Sequence, residues 1–161
     1  MGLDHHLYKK TYVKNWDYYL PEERTEITVS KNGNPTSIKP ERIKYVTEEL
    51  IVWRKFNALH KWFVDNVQNG EDDCGEYYVT RKKLETLLSI LKEVILLKPD
   101  EGGTVDVEKL NRLFPTASGF FFGDTSYDGW YFQNVEETIE KLEAELAEDE
   151  GESDYYYDSS W

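Results

Sequence analysis

The sequence predicts an α+β domain, a small antiparallel sheet with hairpins packed against three main helices and followed by an acidic, aromatic C-terminal tail. Three observations predict it. Apolar residues in 81–97 keep strict helical spacing, residues 3–13 alternate in the manner of a strand, and Asn32-Gly33 is a strong turn dipeptide between β-prone segments. At 161 residues, 39% hydrophobic and 15% aromatic, the chain has material for one substantial core and no composition shift that divides it.

In chain order, "LDHHLYKKTYV" (3–13) reads as a strand. "TEITVS" and the residues after "KNGNP" read as a hairpin, and "RIKYVTEEL" is ambiguous between strand and helix. A helix is expected over 50–68. At about 100° per residue, Val52, Phe56, Leu59, Phe63 and Val67 fall within roughly 80° of each other. "EYYV" reads as a short strand or an extended entry, and Thr80 is placed to cap the helix 81–97, which ends at Pro99. A short helix follows near 106–113. "SGFFFGDTSYDGWYF" (118–132) reads as strand, turn and strand. Asn134 with Glu137 matches a capping box, and Val135, Ile139, Leu142 and Leu146 form the apolar stripe of the last helix. One domain over 1–148 and a tail over 149–161, docked or free, complete the expectation.

Charge is distributed unevenly. The net charge is −13, and residues 134–161 hold eleven Asp and Glu against one Lys, leaving the remainder at −3. Concentrated negative charge opposes direct nucleic-acid binding, which needs clustered Lys and Arg. No apolar run reaches the roughly 18 residues of a membrane span, and no signal peptide is legible at the N-terminus.

Two groups of residues are candidates for function. Trp53, Arg54, Asn57, His60, Tyr77, Tyr127 and Trp130, with Tyr78 and Arg81 nearby, offer stacking faces, an amide and a guanidinium suited to a nucleotide-like ligand. The alternative for Trp53, Asn57 and His60 is a buried structural network. In the tail, Glu148, Asp149, Glu150, Asp154, Tyr155, Tyr156, Tyr157 and Trp161 combine carboxylates with aromatics that suit a basic partner surface; packing on their own domain is the alternative. His60 with Cys74 and Asp72 or Asp73 is a weaker candidate for a Cys-His nucleophile. His5-His6 is no metal pair, because strand neighbours point to opposite faces, and "NGEDDCGEYYVT" lacks the Gly and Glu of a calcium loop. No cofactor and no metal is expected.

"MGLDHHLYKKTYVKNW", "WRKFNALHKWFVDNVQNGEDDCGEYYV", "GFFFGDTSYDGWYF" and "YYYDSSW" resemble small accessory proteins of tailed bacteriophages and prophages. The resemblance covers most of the chain and implies a bacterial host cytoplasm and an accessory role in infection, but no catalytic residues. By analogy with small acidic phage proteins, the expected function is non-enzymatic binding and inhibition of a host protein, with a counter-defence role. A small-ligand binding protein is the alternative, and a Cys/His-dependent enzyme the third.

Overall fold

The computed structural model describes residues 2–161. Four strands form one antiparallel sheet: β1 (Asp4–Tyr12), β4 (Tyr45–Arg54), β5 (Tyr77–Val79) and β6 (Ser153–Ser160), in the order β4-β1-β6-β5. A separate two-stranded hairpin, β2 (Ser30–Lys31) and β3 (Asn34–Pro35), lies in the excursion between β1 and β4. Its turn residues Asn32 and Gly33 both have positive φ, the conformation that a tight two-residue hairpin demands. The helices are α1 (Asn57–Asn66), α2 (Arg81–Ile95), α3 (Val107–Leu113) and α4 (Gly129–Glu148).

Local chemistry starts three of the helices. The Thr80 hydroxyl accepts from the Lys83 N–H at α2, Asp106 from Lys109 at α3 and Asp128 from Tyr131 at α4. The capping box expected at Asn134 and Glu137 is therefore a correction. Asn134 lies inside α4, where its amide donates to the Trp130 carbonyl, and the cap is instead Asp128, six residues earlier, which supplies the acceptor. The strand–turn–strand expected over 118–132 is also absent. Phe121 and Gly123 adopt positive φ, which a ladder does not accommodate, and the segment stays irregular until α4 begins.

The helix expected over 50–68 divides in two. Residues up to Arg54 belong to β4, Lys55 turns the chain with a φ of 55°, and α1 begins only at Asn57. Pairing with β1 decides this, since His5 stands opposite Trp53 and Leu7 opposite Ile51. Val52, expected in the core, consequently points away from it and is exposed. A short apolar run reads equally as helix or strand until its partner is known.

Residues 149–161, expected as an acidic tail, contain β6, which is inserted between β1 and β5. Its alternate residues go to opposite sides of the sheet. Tyr155 and Tyr157 enter the core with Leu7, Ile51, Leu59, Phe63, Leu87 and Leu142, and the Tyr157 ring stacks on Phe63 at 3.9 Å between centroids. Lys9 binds Glu145 at 2.7 Å, and Arg81 donates to Asp149 and to the Leu146 carbonyl, which fastens the end of α4 to β1 and α2. The helices cover only this side of the sheet. On the other side Val52, Tyr45 and Tyr78 are exposed, and His6, Tyr8, Lys10, Tyr12 and Tyr156 are half-buried.

Candidate functional site

His60, on α1, is part of a chain of hydrogen bonds that crosses the core. Its Nε2 lies 3.0 Å from an Asp72 carboxylate oxygen, and its Nδ1 lies 2.7 Å from the Tyr157 hydroxyl. That hydroxyl is also 3.1 Å from Nδ1 of His5. The carboxylate places the His60 proton on Nε2, so Nδ1 accepts from the Tyr157 O–H. The Tyr157 oxygen then accepts from His5 Nδ1–H. Every donor points the same way, from His5 through Tyr157 and His60 to Asp72. This tautomer leaves His5 Nε2 as a bare lone pair, and among the described residues it has no partner. The indole N–H of Trp161 donates to the other Asp72 oxygen, tying the last residue to the same carboxylate.

Burial sets the protonation states. It holds His5 well below the ordinary histidine value of 6.5, with His60 and His6 adding in the same direction. Burial likewise raises the Tyr157 phenol well above its ordinary range, helped by Asp72, Asp158 and Cys74. Both groups are neutral in the folded protein. His5 and Tyr157 are wholly enclosed and His60 nearly so. The hydrogen bonds join β1, α1, β6 and the loop at Asp72. The Cys-His arrangement is not assembled: both His60 nitrogens are committed elsewhere, and Cys74 sits exposed in a turn.

The expected aromatic pocket is dispersed. Trp53, on β4, is buried and donates its indole N–H to the Thr138 hydroxyl of α4. Arg54 is exposed at the strand's end, 3.8 Å from Asp4. Asn57 pins the 116–124 loop, donating to the carbonyls of Phe122 and Asp124 and accepting from the Ala117 N–H. Tyr77 donates to Asp73, and the buried Tyr127 donates to Asn111. Trp130 is exposed on the first turn of α4. It borders two shallow clefts of about 210 and 200 Å³, one holding Asn57 and the other Trp53 and Arg54. Both fall below the range of ordinary ligand pockets. His60, Tyr77 and Tyr127 line neither, so the expected residues do not share one pocket. A roomier cleft of about 530 Å³ lies in the excursion after β1, among Asn15, Arg24, Glu26 and Glu41. None of the residues expected to bind a ligand lines it.

Comparison with protein-family models, with curated proteins and with solved structures finds no match.

The C-terminal candidates separate by face. Tyr155 and Tyr157 are core, whereas Asp154, Tyr156 and Asp158 lie on the uncovered side of the sheet. Glu148, Asp149 and Glu150 border a cleft of about 270 Å³ with Glu48 and Glu152, where Lys9 is the sole cation. Further along α4, Glu136 pairs with Lys98 and Glu143 with Lys92. Among the described residues, Glu140, Glu148, Glu150 and Glu152 have no Lys or Arg within salt-bridge reach, and all four are exposed. No helix of the described residues is long and apolar enough to cross a membrane. Sequence reasoning did not find the roles of His5 and Tyr157 in the relay. The signal that existed was a pair of polar residues, His60 and Asp72, twelve positions apart beside an aromatic-rich core helix.

Proposed function

We propose that the protein is a non-enzymatic accessory protein of the tailed-phage type. It works in the cytoplasm of a bacterial host by binding a basic surface of a host protein and inhibiting it, with a counter-defence role. One observation carries this reading: Glu140 of α4 and Glu148, Glu150 and Glu152 about its turn into β6 are exposed without a cationic partner among the described residues, while Lys9, Arg81, Lys92 and Lys98 pair with their neighbours Glu145, Asp149, Glu143 and Glu136. Unpaired like charges cost the free protein repulsion, which a cationic partner relieves; such surfaces also accelerate encounter.

The test compares the tagged protein with a variant carrying Glu140→Lys, Glu148→Lys, Glu150→Lys and Glu152→Lys. Each is purified gently from bacterial lysate and weighed intact by native mass spectrometry. The parent is expected to retain a host protein that leaves at high salt, and the variant, with an unchanged melting temperature, to retain none. A host protein held equally by both would sink the acidic-surface reading. A small mass excess in place of a protein would support a ligand-binding function instead.

A further inference from the structure

On the uncovered side of the sheet three tyrosines lie side by side across three strands. Tyr8 of β1 stands opposite Tyr156 of β6, which stands opposite Tyr78 of β5. Tyr78 and Tyr156 meet edge to face at 5.7 Å between centroids, and His6 extends the aromatic surface from Tyr8 at 5.6 Å. Tyr78 is 54% exposed on a strand whose outer edge has no partner among the described residues, so the row is open at that end.

Carboxylates surround this row. Glu49 faces Tyr8 from β4, while Asp154 and Asp158 flank Tyr156 on the same side of β6. Glu76 reaches in from the approach to β5. Burial first, and then Asp158, Glu49 and Glu76, hold the Tyr8 phenol above its ordinary value, so three of these charges are felt at one ring. Against the four carboxylates stand Lys10, bound to Glu76 at 2.9 Å with its ammonium 4.2 Å from the centre of the Tyr156 ring, and the His6 ring, whose Nδ1 lies 2.8 Å from one Asp158 oxygen and leaves the other oxygen to a partner. The face already holds one cation over a tyrosine, with a carboxylate as counter-ion.

We propose that this tyrosine row docks an arginine-bearing segment of a partner protein, guanidinium planes stacking on Tyr8, Tyr156 and Tyr78 while Asp154, Asp158 and Glu49 take the N–H groups. The inference rests on the reading of the protein as a binder of basic partners, and names the surface and side chain involved. Guanidinium suits the site because it is planar, stacks on aromatic rings and donates in a fork that matches carboxylates, whereas an ammonium does only part of this. Aromatic sheet faces also stack the bases of single-stranded nucleic acids, but those surfaces add positive charge for the phosphates. Here the charge has the opposite sign.

The experiment titrates the isotope-labelled full-length protein with an oligo-arginine peptide, an oligo-lysine peptide of equal length and an oligothymidine, following amide resonances. Arginine is expected to move Tyr8, Lys10, Tyr156 and Tyr78, and to bind more tightly than lysine. Tyr78→Ala combined with Tyr156→Ala is expected to weaken it by about tenfold. Asp154→Asn with Asp158→Asn, which preserves the strand's shape, supplies a second variant if the tyrosine changes disturb folding. Shifts confined to the outer side of α4, equal affinity for both peptides with the tyrosine variant unaffected, or no binding would each overturn the inference. Preferential binding of the oligothymidine would replace it with a nucleic-acid site. If a host protein is captured through the acidic surface yet ignores the tyrosine changes, only this inference fails. If the arginine peptide docks on the tyrosines but no host protein is retained, only the functional reading fails.

Discussion

Enclosed and neutral, His5 donates to Tyr157 and carries a lone pair that nothing satisfies. The folded protein refuses a proton there, whereas the unfolded chain accepts one below the ordinary value of 6.5. The unfolded state then binds more protons, so stability falls as the pH falls through and below that value. The loss grows as the pH falls further below it, until the folded protein itself takes up the proton. Urea unfolding of the parent and of His5→Phe at pH 7 and near pH 5 isolates it, because His6 and His60 remain in both. The variant is expected to lose less stability on acidification; equal losses would show that His5 does not carry the linkage. The sequence offered His60 as a member of a buried structural network. Its partner Tyr157 was not legible, because 97 positions separate them and the hydrogen bond exists only once β6 lies beside β1.

At the scale of elements, starts and periods were readable wherever the deciding contact is local. Thr80 caps α2 from three residues away, and Asp106 caps α3, expected near 106–113, in the same way. The start of α4 was misread because Asn134 and Glu137 fit the capping spacing as well as Asp128 fits the cap. Asp128→Ala is expected to cost about 1 kcal/mol of stability and to fray the first turn, lowering protection from hydrogen exchange at Tyr131 and Phe132. Unchanged protection there would show that tertiary packing of Tyr131 against Phe114 and Tyr127 alone holds the turn. The split of 50–68 into β4 and α1 was hidden for a different reason. The run from Leu50 to Trp53 has no period of its own, and the bulge opposite Leu7 and Tyr8 shifts its register.

For the whole molecule, the last segment is inseparable from the first. Asp4 pairs with Ser160 and Thr11 with Ser153, so β6 closes a sheet whose first strand lies more than 140 residues upstream. Deleting 149–161 removes Tyr155 and Tyr157 from the core and leaves β1 and β5 without a neighbour between them. The truncated chain is expected to lose cooperative thermal unfolding and dispersed amide resonances. If it melts cooperatively, β6 is an accessory strand rather than part of the folding unit.

Taken alone, the sequence determined the α+β class, a helix over about 81–97 and a short one near 106–113, the first strand and the hairpin turn, along with the concentration of negative charge toward the C-terminus. Each depends on residues a few positions apart, where spacing, capping and turn geometry act directly. The tertiary structure alone decided that Trp53 is on a strand, that the expected pocket residues are dispersed, and that alternate tyrosines of the C-terminal segment take opposite faces. Those outcomes depend on which strands pair and in what register, and a one-residue shift exchanges every inward side chain for an outward one. Composition is the same in either register, so only the fold could place Tyr157 beside His60 and Tyr156 beside Tyr8.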